Sequence, residues 1–245
     1  MNLNRLRLPL VMLFGLWLSI PAIAANAPPR SAADLALDAS RKPLAVLDFF
    51  GIEPGMAVLD IFAGGGYYTE LLSQRVGADG FVTHYNNQPW NDFVGKAVEE
   101  RLGNDRLPNV DRYVAAPEDL VELPDQYDAA IFVLGMHDIY YADPDNGWVP
   151  IDRDRFLRGI YNVIAEGGVL GVIDHNAAPG SDPAIVGKTL HRIDPAILIR
   201  DLTAVGFTLE ASSDLLRNGA DDHTGSVFDP ALRWATDRSV LRFRK

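Results

Sequence analysis

The chain has 245 residues, 48% of them hydrophobic, a formal net charge of −11 and no cysteine. That length and apolar share can bury one substantial core, so a single domain is expected. The acidic balance argues against nucleic acid and anionic membrane surfaces as partners, and the lack of thiols excludes disulfides, thiolate metal sites and a cysteine nucleophile.

In chain order, Arg5 and Arg7 precede an apolar run from Leu8 to Ile20 and the small-residue stretch Ala22-Ile23-Ala24. This is the pattern of an export signal, with cleavage expected after Ala24. The run is short for a membrane span, and Leu6 separates the arginines, so they do not form a twin-arginine pair. Residues 1–24 are therefore read as a signal peptide and 25–245 as one domain that is periplasmic or secreted and unattached to the membrane after cleavage. Losing two arginines and no acid takes the charge from −11 to −13.

Ser31 can cap a helix to Asp38, and Pro43 to Phe50 reads as a second helix stopped by Gly51. Glu53-Pro54-Gly55 turns the chain into a first strand, Met56 to Ile61, whose near-continuous apolar character suits a parallel strand covered on both faces. Further strands are expected over residues 80–85, 110–114, 127–134, 169–173, 207–211 and 239–244. Helices are expected over 68–75, 91–102, 152–164 and 194–205, the last opened by Asp194 as cap and Pro195 at the first helical position. Alternating strands and helices predict an α/β doubly wound sheet. Residues 215–237 are long for a hairpin connection and are read as a functional flap.

The most informative segment is Val58-Leu59-Asp60-Ile61-Phe62-Ala63-Gly64-Gly65-Gly66-Tyr67-Tyr68-Thr69-Glu70: a buried strand, a glycine turn and a helix start. Glycines let a ligand approach the main chain, and the first helical turn offers unpaired N–H groups and a positive dipole end. The dinucleotide fingerprint wants glycine or alanine where Thr69 stands.

Asp60-x-x-x-Gly64-x-Gly66 instead resembles motif I of class I S-adenosylmethionine-dependent methyltransferases, with Phe62 in place of the usual first glycine. Phe156 to Asp174, with its Gly167-Gly168 pair, is similar to the helix, turn and fifth strand of that superfamily. With His191-Arg192-Ile193-Asp194-Pro195 and Asp221-Asp222-His223-Thr224, the chain resembles a group of exported bacterial methyltransferases without an assigned substrate. The resemblance implies a Rossmann-like seven-stranded fold, mostly parallel, with an antiparallel last strand and order 3-2-1-4-5-7-6. It also implies S-adenosyl-L-methionine as cofactor, held by Asp60, Phe62, Gly64, Gly66, Tyr67, Asn86 and Glu118. Asn86 stands where the family supplies an acid for the ribose. Ala115-Ala116-Pro117-Glu118-Asp119-Leu120 lacks the adenine-contacting acid, for which Glu118 or Asp119 can substitute.

In open α/β sheets, ligands bind beyond the carboxyl ends of the strands, and all five histidines (His84, His137, His175, His191 and His223) can be placed near that edge. His137, Asp138, Tyr140 and His175 are the candidate catalytic residues, His137 first as a base. Tyr67, Tyr68, Tyr140, Tyr141 and Trp148 can form an aromatic wall, partly for cation–π contact with a sulfonium. No His-x-x-x-His or His-Glu-x-x-His spacing occurs, and no metal ligand is assigned, although Asp174-His175-Asn176, His191 to Asp194 and Asp221 to His223 are polar triplets of ligating types. The leading expectation is methyl transfer to a small-molecule acceptor. A degenerate, ligand-binding version of the fold and a metal-assisted enzyme are the alternatives.

Overall fold

The computed structural model describes residues 29–122 and 126–245; the expected export signal lies outside them. Seven strands are present: β1 Ala57–Ile61, β2 Phe81–Asn86, β3 Val110–Val114, β4 Tyr127–Val133, β5 Ile164–His175, β6 Thr208–Ser213 and β7 Arg238–Arg244. They form one sheet in the order β3-β2-β1-β4-β5-β7-β6. The first five pair in parallel, and β7 runs antiparallel between β5 and β6. Strand order and the antiparallel β7 match the expectation.

Helices α1 Ala32–Arg41, α2 Pro43–Phe50, α3 Tyr67–Val76, α4 Gln88–Leu102, α5 Arg153–Val163, α6 Pro183–Leu190 and α7 Pro195–Ala204 cover the sheet. Ser31 caps α1 by accepting from the Asp34 N–H at 3.0 Å, and Asp194 caps α7 by accepting from the Ala196 N–H. All five residues of β1 are buried. Successive side chains of a strand face opposite sides: Leu59 and Ile61 join a cluster with Phe132, Phe156, Phe207 and Phe243, whereas Val58 joins Val46, Phe50, Leu72 and Ile173 on the other face. Burying each such side chain contributes about 1.5–3 kcal/mol, which is why β1 sits centrally and presents its carboxyl end as a fixed platform.

Three elements differ from expectation. β5 starts at Ile164 rather than Val169, because the chain pairs with β4 through a register shift and Gly167 absorbs the irregularity at φ 75°. α4 starts three residues early, at Gln88, where the Asn87 side chain accepts from the Trp90 N–H. α6 was not anticipated; its signal, Asp182 as cap followed by Pro183, repeats the Asp194-Pro195 pattern. Residues 214–237 connect β6 to β7 by turns and irregular chain. Among the described residues no helix is long and apolar enough to cross a membrane.

Candidate functional site

The strand order reverses beside β1, and the turn that follows it is built from strained and permissive backbone. Phe62 lies at φ 47°, Gly64 at 58° and Gly66 at 81°. A non-glycine residue in this left-handed region is uncommon. Phe62 is held there by its ring, which stacks on Phe156 at 5.3 Å and meets Phe132 edge-on at 5.3 Å. Phe62 is thus a core anchor that also lines the neighbouring cavity.

α4 runs along the outside of the turn. Side chains built on Gly64, Gly65 and Gly66 would meet Trp90 at 3.7 Å, Ala97 at 3.2 Å and Arg101 at 2.7 Å. Trp90 and Arg101 are separated by roughly 16 Å of helix, so the helix lies along the glycines instead of leaving them open. Arg101 donates from Nε to the Gly65 carbonyl at 2.6 Å, and its guanidinium joins Asp34 of α1 and Glu70 of α3. Arg106 completes this network at Glu70. Sequence reading missed the network, since its members are 31 to 67 residues apart.

Asn86 is fully buried at the end of β2. Its Oδ1 accepts from the Gly64 N–H and its Nδ2 donates to the Gly64 carbonyl, both at 3.0 Å. In this arrangement the amide braces the turn. His84 adds a second contact to the same carbonyl at 3.0 Å, and burial pushes its pKa down to about 4. Glu118 meets a different element. Its carboxylate accepts from the Asp152 N–H at 2.7 Å, at the start of α5, and it does not line the cavity at the glycine turn.

Inside the turn lies a cavity of about 300 Å³, lined by Asp60, Gly64, Gly65, Tyr67, Tyr68, Leu134 and the end of α1. Leu134, at φ 57°, is another strained residue at this edge. Asp60 is buried and accepts from Thr69 Oγ1 at 2.6 Å; burial outweighs that bond and raises its pKa to about 7. Arg41 lines the same cavity. Its guanidinium stands over the Tyr67 ring at 4.3 Å, and its Nε is buried without a hydrogen-bond partner. A buried donor left unpaired is costly. Tyr67 itself donates its hydroxyl to Asp38 at 2.6 Å.

A second constellation follows β4. His137 and Asp138 are buried in a short 3₁₀ turn, Met136–Tyr140. His137 Nδ1 lies 2.8 Å from Asp174 Oδ1, and its Nε2 lies 3.3 Å from both Asp138 Oδ1 and His191 Nδ1. Although burial opposes it, the charges of Asp174 and Asp138 push the His137 pKa up to about 9. Both ring nitrogens of His137 are engaged by groups of the protein itself. His191 is held neutral, its pKa lowered to about 4 by burial and by His137. His175 packs at 6.4 Å from the His137 ring, with Nδ1 2.7 Å from Thr236 Oγ1, and burial lowers its pKa to about 3. His223 is separate, contacting Asp237 at 3.0 Å. Three of the five histidines therefore share one cluster.

Tyr140 and Tyr141 line another cavity, of about 550 Å³, with Arg153 and Lys188. Tyr140 donates to Asp201 at 3.0 Å. Trp148 packs edge-on against Trp90 at 5.7 Å and lines a third recess. The five aromatics foreseen as one wall are thus divided: Tyr67 and Tyr68 at the glycine turn, Tyr140 and Tyr141 beyond β4, and Trp148 elsewhere.

No family model matches the chain. It is 30% identical over 131 residues to the ubiquinone/menaquinone biosynthesis C-methyltransferase UbiE of Idiomarina loihiensis, covering 52% of this chain and 46% of that one. The chain thus spans about half the length of the curated relatives it matches. Among solved structures, it is similar to a SAM-dependent methyltransferase from Aquifex aeolicus, with TM-score 0.58, 20% identity and coverage of 89% of this chain and 99% of that one. It is also similar to Aeropyrum pernix fibrillarin in complex with S-adenosyl-L-methionine, with TM-score 0.53, 14% identity and coverage of 84% and 76%. Together with the seven-stranded order, these likenesses establish that the chain has the fold of class I S-adenosylmethionine-dependent methyltransferases.

Proposed function

We propose that the protein binds S-adenosyl-L-methionine at the glycine turn and transfers its methyl group to a small-molecule acceptor. The observation that carries this reading is the cavity at the glycine turn, lined by Gly64, Gly65, the buried Asp60 and Arg41. Those groups fit the aminoacyl end of the cofactor: the Arg41 guanidinium would take its carboxylate, and the Tyr68 ring, which lines the same cavity, offers aromatic surface to a sulfonium. Phe62, Trp90 and Val94 supply aromatic and apolar surface for the nucleoside end. When bound, the cofactor supplies an electrophilic methyl group. Its volume places the cavity at the low end of ligand sites, roughly 300–1,000 Å³.

For a single in-line displacement, the chain's contribution is positioning, which can supply roughly 7–11 kcal/mol. The larger cavity at Tyr140, Tyr141, Arg153 and Lys188 supports the acceptor's placement beyond β4. Its two cations suit an acceptor carrying an acidic group, and its tyrosines a flat or apolar one. The basic and apolar pattern of residues 1–24 supports an exported location.

A second reading, a cofactor-binding protein without turnover, draws on the commitment of Asn86 to Gly64. Incubation with methyl-labelled cofactor and small-molecule extracts separates the two. Methyl transfer predicts label in an extractable small molecule; cofactor binding with no labelled product supports the second reading.

A further inference from the structure

We propose that His137 Nε2, Asp138 Oδ1 and His191 Nδ1 form a binding site for a divalent transition-metal ion of the zinc type. The three atoms come from two separate elements, the turn after β4 and the residue that ends α6. They are 3.3, 3.3 and 3.9 Å apart. Bonds of about 2.0–2.1 Å from nitrogen and oxygen to a tetrahedral ion place neighbouring ligand atoms roughly 3.3 Å apart. The cluster therefore has the spacing of three corners of such a tetrahedron, and all three atoms lie within 4.8 Å of one another.

A second, independent feature is the group behind His137. Asp174 receives the ring Nδ1 at 2.8 Å and, through its other oxygen, the His137 main-chain N–H at 2.8 Å. A carboxylate in that position fixes the ring with Nε2 toward the cluster, the arrangement that orients a metal-ligating histidine once the ion takes the place of the Nε2 proton. Asp138 is itself steadied by the Tyr141 hydroxyl at 3.1 Å. His191 is held at φ 54°, a backbone conformation that residues other than glycine seldom adopt. The neighbouring Arg192 pins it there, with its guanidinium bonded to Asp221, Asn176 and Gly225.

Side-chain exposure is 4% and 5% at His137 and Asp138 but 28% at His191, so the site opens on the His191 side, where the exposed Phe228 ring stands at 4.7 Å. Three protein ligands and one open side match the pattern of a site that keeps a position for water or a substrate atom, rather than a closed structural site. Nitrogen and carboxylate donors without thiolate suit zinc or a neighbouring first-row ion rather than calcium or magnesium. The sequence offers ligating residue types, His191 among them, but no ligand spacing, because His137 and His191 are 54 residues apart.

The test is zinc titration by calorimetry into the full chain, purified without a histidine tag and stripped by chelator, together with the visible spectrum of the cobalt form. One ion per chain with micromolar or tighter affinity, and the intense bands of a four-coordinate cobalt ion, are expected. Changing a group that merely orients a ligand costs about 10–100-fold in affinity; Asp174→Asn should fall in that range and His191→Asn, which removes a ligand, should exceed it. His223→Gln, on the flap, should retain one ion at wild-type affinity. His191 is part-exposed, so its variant is expected to fold, and far-ultraviolet circular dichroism checks this. No zinc binding at 100 µM, or undiminished binding by folded His191→Asn, overturns the site and leaves a protonated His137 as the link between the carboxylates and His191.

Discussion

Asp60 shows how one buried atom group couples the site to pH. Its pKa is raised by burial to about 7 in the folded protein, against about 3.9 for an unperturbed aspartate. The folded state therefore favours the protonated carboxyl. That contribution is fully present below about pH 4 and is lost as pH rises through 7. A shift of about three units corresponds to roughly 4 kcal/mol. Asp60→Asn removes the titration, so the variant should gain stability relative to the parent between pH 5 and pH 8, measured by urea unfolding at each pH. An unchanged difference across that range would contradict the buried, proton-binding role. Gly66 makes a complementary residue-scale case. It combines φ 81° with Arg101 Cδ 2.7 Å from the position of an added Cβ, so Gly66→Ala should destabilise by more than about 1 kcal/mol and disturb the turn's ligand site. The motif itself was legible, because strand, glycine turn and helix start follow each other within fifteen residues. The partners were not. Asn86 aligned with a ribose-binding position by count, yet a neutral amide, with a donor and an acceptor together, can satisfy the N–H and C=O of one glycine, and here it does.

At the scale of elements, α4 and the flap carry most of what the sequence did not disclose. α4 was foreseen as an ordinary connecting helix; its small Ala97 and long Arg101 allow it to lie against the turn. The long connection between β6 and β7 was foreseen from its length, and its anchor was not: Arg192 and Asp221 form an ion pair whose side chains are entirely buried, with two further guanidinium bonds to main-chain carbonyls. Removing one partner of such a pair leaves an uncompensated buried charge, which costs about 3–5 kcal/mol. Asp221→Ala should therefore lower the unfolding free energy by that amount, and a double change to apolar residues of similar size should recover much of it. A loss below about 1 kcal/mol in Asp221→Ala would show that the pair does not hold the flap. Apolar periodicity reports which face of an element is covered, but it is silent on pairs of charges brought together by a crossover.

For the whole molecule, the sheet order decides where chemistry can occur. β1 and β4 are neighbours and both end beneath the cavity, so the glycine turn and the turn carrying His137 are side by side although 71 residues separate Gly66 from His137. Element alternation pointed to a doubly wound sheet, whereas the seven-stranded order came from the resemblance of the motifs and is the order found. Alternation does not show that the candidate residues divide between a tight cavity at β1 and a wider one beyond β4. The central claim is that the β1 cavity grips a sulfonium amino acid through Arg41. Isothermal titration with S-adenosyl-L-methionine tests it most directly. Saturable binding to the parent chain, weakened at least about tenfold in a folded Arg41→Met variant as expected for loss of a charge-assisted hydrogen bond, is the predicted result; no binding heat at millimolar cofactor, or equal affinity in the variant, would contradict it.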